Sequence, residues 1–279
     1  MFGIGLAFLL AHLDNTVNNG EEVERITGYP CLGMVPLYKD NKQVKGELAK
    51  DNIEFKLEFI TQQHRNSDVA EAIRSIRANL MFASVKGLPK TILFTSTVPQ
   101  EGKSTLAINM AAAVAESGQR TLLIDCDLRK PRVHSVFGFP SSPGLSDALI
   151  SQNLAMYPSS IKDLDILTAG TRPLNPTELL GSKEFKQLLN QFEESYDHII
   201  IDGAPLLGLA DSIMLSTQVD GVVYVVKGGE TNKEWVKNGV KRLKTVNAPV
   251  LGIVLNQVEV KGKDYGYYQE YYKQYGVDS

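Results

Sequence analysis

A lysine flanked by glycine and serine, followed at distance by three aspartates that each close an apolar run, is a combination able to do chemistry. The lysine is Lys103 in "TSTVPQEGKST" (95–105), where Gly102, Lys103 and Ser104 form a GK[ST] ending. The aspartates are Asp125 and Asp127 in "LLIDCDLRKP" (122–131), with Arg129 two residues on, and Asp202 in "IIIDGAP" (199–205). A GK[ST] loop that follows a strand and opens a helix surrounds phosphates with backbone N–H groups. In that geometry Lys103 reaches the β and γ oxygens, and the Ser104 hydroxyl ligates magnesium. Thr97 stands where the usual pattern has its first glycine, so the letters alone fall short of the motif. Strand, loop and helix nevertheless come in the required order, and acidic strand ends follow. Asp125, Asp127 and Asp202 would meet at the carboxyl edge of a parallel sheet, as a magnesium nucleotide and a hydroxyl awaiting activation require. Each could instead cap the next helix, but three caps together are a far less expected outcome than one, and an ordinary strand–helix turn at Lys103 would leave the acids unexplained.

The elements that must position these residues are readable from apolar runs. Strands are expected at 91–96, 120–126, 163–169, 198–203, 221–226 and 250–256. Helices are expected near 103–117, 182–195, 210–218 and 231–246. Continuous β-branched runs separated by helices argue for an α/β fold, an open parallel sheet with helices on both faces in the manner of P-loop nucleotidases. Before it, a helix is expected from Asp68 to about Ser84 with Ser67 or Asp68 as N-cap. It buries Ala72, Ile76 and Leu80 and presents Glu71, Arg74 and Arg77 on an exposed face. Three regions follow: an arm over 1–66 with a short strand and loops near "GYPCLGMVP", the sheet domain over 67–261, and a tail over 262–279.

Composition excludes several classes. With 279 residues, 43% hydrophobic and 22% charged, the chain is globular with a sizeable core. A net charge of -3 offers no general basis for nucleic-acid binding. Cys31 and Cys126, the only two cysteines, and four scattered histidines have no metal-ligand spacing. The first eleven residues, "MFGIGLAFLLA", fall short of the roughly 20 that cross a bilayer. They read either as a buried amphipathic start or as the trimmed end of a membrane helix. The tail is unusual: Tyr265, Tyr267, Tyr268, Tyr271, Tyr272 and Tyr275 are six of the 11 tyrosines, and they follow no structural period.

The GKST loop, the strand ending DxDxR, the strand ending in Asp202 before Pro205, the E-x-x-R-x-x-R of Glu71, Arg74 and Arg77, and the tyrosine tail together resemble the bacterial tyrosine kinases of polysaccharide export. The resemblance runs from about Leu13 to the end and implies the cytoplasmic part of a single-chain member. It implies ATP and Mg²⁺ as cofactors, with Glu101, Gly102, Lys103, Ser104 and Thr105 around the phosphates. Ser104, Asp127 and Asp202 would hold the metal, Asp125 would orient or deprotonate the attacking phenol, and Arg129 would either meet charge on the γ-phosphate or make a structural ion pair. Asn256, in "GIVLN", would read adenine or simply end its strand. The tail tyrosines would be phosphoacceptors in a neighbouring subunit of a homo-oligomeric ring joined through Glu71, Arg74 and Arg77. Implied partners are a transmembrane activator, its own or another chain's, and a tyrosine phosphatase, at the cytoplasmic face of the bacterial inner membrane. Gln100 departs from the family, which usually has glycine there, and glutamine tolerates positive φ poorly. The rival is a partition or division-site ATPase switch or an assembly regulator, but the lysine that such switches carry early in the loop is Val98 here.

Overall fold

The structure is a computed structural model that describes residues 15–38, 54, 56–84 and 87–259. The tyrosine tail and the apolar N-terminal run lie outside the described residues. One eight-stranded sheet has the order β1-β8-β7-β2-β6-β3-β5-β4. Its strands are β1 (Cys31–Pro36), β2 (Thr91–Ser96), β3 (Thr121–Asp125), β4 (Tyr157–Pro158), β5 (Leu164–Leu167), β6 (His198–Asp202), β7 (Gly221–Lys227) and β8 (Val250–Val258). Every pairing is parallel except the short β4 with β5. All six expected strands are present within a few residues. The expected final strand runs on past Asn256 to Val258.

Alternation within the central strands explains why the sheet is covered on both sides. Leu93, Leu122, Ile124, Ile199, Ile201, Val222 and Tyr224 face one core, whereas Ile92, Phe94, Leu123, Ile200, Val223 and Val225 face the other. Strands buried on both faces lose the polar alternation of a half-exposed sheet, hence the continuous apolar runs. The first core is closed by α1 (Gly20–Thr27), α8 (Lys183–Ser195), α9 (Asp211–Ser216) and α10 (Lys233–Thr245). The second is closed by α3 (Asp68–Phe82) and α4 (Lys103–Ala115), behind the short α2 (Ile60–Gln63).

Three side-chain caps start helices where the sequence places them. Ser67 accepts from the Ala70 N–H, Ser182 from Phe185 and Asn232 from Glu234. The remaining helices, α5 (Val133–Phe137), α6 (Leu145–Ser151) and α7 (Pro176–Leu180), have five to seven residues. That is under two full turns and too short to show a period. The arm contributes more than a strand and loops: α1 packs on the first core, and β1 pairs in parallel with β8.

One expectation about α3 is corrected. Glu71, Arg74 and Arg77 are half-buried and already engaged within the chain. Arg74 pairs with Glu71, its Nε 2.9 Å from Oε2, and also donates to the Arg65 carbonyl at 2.6 Å. Arg77 donates to the carbonyl of Ala113 near the C-terminal end of α4. Burial of Ile76 and Leu80 turns Arg77 toward the flank of α4.

Candidate active site

Strand order brings the acidic strand ends beside the loop. β6 lies between β2, which feeds the GKST loop, and β3, which feeds Asp125 and Asp127. Asp202 is in register with Phe94 on one side and Asp125 on the other. The loop is pinned beneath by the segment after Asp202, because Thr95 Oγ1 donates to the Ala204 carbonyl at 2.7 Å and Leu206 N–H to the Ser96 carbonyl at 2.8 Å.

Gln100 adopts φ 69, as feared from the sequence, and Gly102 adopts φ 87. The first costs on the order of 1 kcal/mol in a residue with a Cβ, whereas glycine takes the second without strain. Gly102 also has no room for a side chain, since an added Cβ would lie 2.1 Å from Asn256 Nδ2. Asn256 itself donates to the Glu101 carbonyl at 2.8 Å. Its amide therefore braces the loop from β8 and does not merely end a strand. The Glu101 side chain is buried and turned into the fold, accepting from the Val98 N–H at 2.8 Å and from Thr231. Burial holds that carboxyl above its ordinary range. Thr97, in the place of the missing glycine, meets Tyr224 Oη at 2.8 Å at the centre of the first core.

Lys103 opens α4 and is only 8% exposed. Its Nζ lies 3.0 Å from Asp127 Oδ2, 3.2 Å from Asp202 Oδ1 and 3.2 Å from Ser104 Oγ. Burial alone would lower the lysine pKa, but the charges of Asp202 and Asp127 outweigh it and leave it raised. Asp202 is fully buried and its Oδ2 has no hydrogen-bond partner. Asp125 is buried as well, yet its side-chain hydrogen bonds are all local. Its Oδ1 accepts from Asp127 N–H at 3.1 Å, and its Oδ2 from the N–H groups of Arg132 and Val133, both at 3.0 Å. Burial and the neighbouring Asp202 push its carboxyl up to about 7. Asp125 thus tethers the start of α5 while standing beside the lysine cluster.

The donor set suits a hydrated divalent cation with a polyphosphate. Asp127 and Ser104 supply oxygens at one rim, and the partnerless Asp202 oxygen is one that a metal-bound water would satisfy. In this structure the lysine ammonium is the cation between the carboxylates. First-turn N–H groups of a helix have no acceptor inside it, so those of Lys103, Ser104 and Thr105 are free to meet phosphate oxygens.

Arg129 is paired outside the lysine cluster. Its Nε lies 2.6 Å from Asp211 Oδ2 and its Nη2 3.1 Å from Oδ1. This contact is the ion pair, one of the two roles expected for Arg129. Asp211 was not visible as a partner in the sequence. It is 82 residues away, and its only local signal is an acidic residue at a helix start.

A family model described as an AAA domain matches residues 90–250. Tyrosine-protein kinase YwqD of Bacillus subtilis is 41% identical over 203 residues, covering 71% of this chain and 86% of that protein. Putative tyrosine-protein kinase EpsB of Ralstonia solanacearum is 30% identical across the whole of this chain, which spans 38% of that protein. The crystal structure of the chimerical protein CapA2B2 superposes with a TM-score of 0.77 at 34% identity, covering 87% of this chain and all of that one. A kinase relative at 41% identity matched along 86% of its length, together with a nucleotide-type loop facing buried carboxylates, establishes that the chain belongs to the bacterial tyrosine-protein kinases and is a protein-tyrosine kinase.

Proposed function

We propose that the chain uses ATP and Mg²⁺ to phosphorylate its own C-terminal tyrosines. Tyr265, Tyr267, Tyr268, Tyr271, Tyr272 and Tyr275 are the acceptors, and transfer runs between copies. The observation that carries this reading is the Lys103 ammonium held between Asp127 and Asp202 beside an unpartnered carboxylate oxygen. With nucleotide bound, Lys103 would meet the β and γ phosphate oxygens, and Ser104, Asp127 and Asp202 would hold the metal, which would supply the neutralisation of phosphate charge that phosphoryl transfer chiefly asks for. Glu101, Gly102 and Thr105 complete the phosphate loop, and Asn256 sets its distance from β8. Asp125, poised near neutrality, orients and accepts the proton of the attacking phenol. Arg129 is left out of the transfer because its fork is committed to Asp211.

β8 ends at Val258, so Tyr265 is seven residues further on, a reach of roughly 24 Å, and Tyr275 roughly 58 Å. That span serves a neighbouring site as well as the chain's own. In-line approach to the γ-phosphate favours the neighbour, since a tail leaving the rim of the cleft would have to double back. Oligomers through Glu71, Arg74 and Arg77, a transmembrane activator, an opposing phosphatase, attachment at the cytoplasmic face of a bacterial membrane and control of polysaccharide export complete the reading. It is supported by the kinase names of the relatives and by the short share of EpsB that this chain spans.

The test mixes Lys103→Met protein bearing all six tyrosines with an active chain cut after Gly262, then maps phosphate by mass spectrometry. Label on the inactive chain's tail is expected. An unlabelled tail in a demonstrably mixed assembly refutes transfer between copies.

A further inference from the structure

Three crossovers meet at the carboxyl edge of the sheet, outside the lysine cluster. Arg129 follows β3, Thr177 begins α7 after β5, and Asp211 begins α9 after β6. Asp211 is 1% exposed and takes the Arg129 fork through both oxygens, at 2.6 and 3.1 Å. Thr177 Oγ1 donates to the same carboxylate and accepts from Arg129 Nη2 at 3.4 Å. Two-point pairing of this kind fixes the orientation of a guanidinium as well as its distance.

The pair sits close to a competitor. Asp127 is two residues from Arg129, and the residue between them, Leu128, is buried and anchors the turn. The hydrogen bonds that Arg129 donates to Asp211, with a smaller contribution from the Asp127 charge, hold the arginine pKa above its ordinary value. Asp127 has its Oδ1 engaged by the Lys130 N–H at 3.0 Å and its Oδ2 by Lys103 at 3.0 Å. A permanently charged guanidinium released beside it would take the oxygen that a metal needs, because arginine binds carboxylate through two donors where lysine offers a point charge.

We propose that Asp211, with Thr177, is a positioning residue that keeps Arg129 off Asp127 and so leaves Asp127 available to the divalent cation. The inference rests on the proposed function in taking Asp127 as a metal ligand. Both Asp211 oxygens are engaged by Arg129 and Thr177. Asp211 acts by being the better partner for a neighbouring cation.

Mn²⁺ binding in the presence of ADP, counted from the electron paramagnetic resonance signal of free Mn²⁺, tests this without turnover. Asp127→Asn should weaken Mn²⁺ binding at least tenfold; unchanged binding there defeats the assignment of the metal site itself. With that established, Asp211→Asn should weaken binding about tenfold, and Arg129→Gln/Asp211→Asn should return it to within about threefold of wild type. An unchanged Asp211→Asn protein overturns the proposal, as does a double variant as weak as the single one. Where Asp211→Asn does not give a native circular dichroism spectrum, the comparison moves to Arg129→Lys against Arg129→Gln with Asp211 intact. The lysine cannot make the fork and keeps its charge, so it should bind Mn²⁺ several-fold more weakly than the neutral glutamine. Equal binding by the two refutes the role.

Discussion

Replacing Lys103 by methionine removes one positive charge from among three buried carboxylates while nearly conserving volume, and its effect on folding should depend on pH. Each contact of the ammonium, at 3.0 Å to Asp127 and 3.2 Å to Asp202, is worth about 5 kcal/mol by Coulomb's law at an effective dielectric of about 20. Desolvation of the lysine offsets much of this. Removing one partner of a buried pair costs about 3–5 kcal/mol net. Lysine itself adds no pH dependence near neutrality. Its folded pKa lies above its ordinary value, so its contribution is fully present below about pH 10. The carboxylates supply the dependence. Asp125 and Asp202 are already raised, chiefly by burial, and losing the ammonium raises them further. A carboxyl raised by folding carries no penalty below its unfolded pKa, accumulates one as pH climbs, and carries all of it above its folded pKa. Asp125 already stands at about 7, so the added penalty on that carboxyl opens only above pH 7, at about 1.4 kcal/mol per pH unit. The stability gap between wild type and Lys103→Met should therefore be about 3–5 kcal/mol at pH 8 and at least about 1 kcal/mol smaller near pH 5. Urea unfolding followed by circular dichroism at pH 5, 6.5 and 8, without nucleotide or metal, measures it. A gap that is constant with pH, or wider in acid, would mean that the three carboxylates do not share the lysine.

Two further outcomes follow from the same geometry. Asp125, with its carboxyl at about 7, is protonated and unable to take the phenol proton in acid; kcat/KM should fall about tenfold per unit below pH 7. Asp125→Asn should flatten that limb, and a limb that persists would assign it elsewhere. Gln100→Gly relieves a left-handed conformation at φ 69 and, after the entropy cost of glycine, should raise stability by roughly 0.5 kcal/mol at most; a variant clearly less stable in chemical unfolding would show that the glutamine side chain supports the loop.

How much of this was legible follows from range. The sheet was readable because strands buried on both faces are uninterrupted β-branched runs, and the loop because Gly102, Lys103 and Ser104 are contiguous. Asp125, Asp127 and Asp202 announced themselves as acids closing such runs. What stayed hidden is carried by pairs remote in sequence. Thr97 looked like a fault in the motif until Tyr224 supplied its partner at 2.8 Å. Arg129 kept two roles open until Asp211 took its fork. The spacing of Glu71, Arg74 and Arg77 suggests an exposed stripe, because helical periodicity does not show that Ala113 and Arg65 offer carbonyls to two of them. The joining of β1 to the sheet was missed for another reason: six residues broken by Gly33 and ended by Pro36 carry little pattern.

That joining matters to how the protein can be cut. β1 is an end strand of the sheet, and on its inner side it covers β8, a strand of nine residues buried along its middle. Started at residue 67, the chain would keep every residue of the phosphate loop and the acidic cluster but leave β8 bare. An apolar strand with a row of unsatisfied N–H and C=O groups is a template for pairing with another molecule. Such a shortened protein should retain its chemistry on paper and lose it in the tube to edge-to-edge aggregation, beginning at the strand that leads into the tyrosine tail.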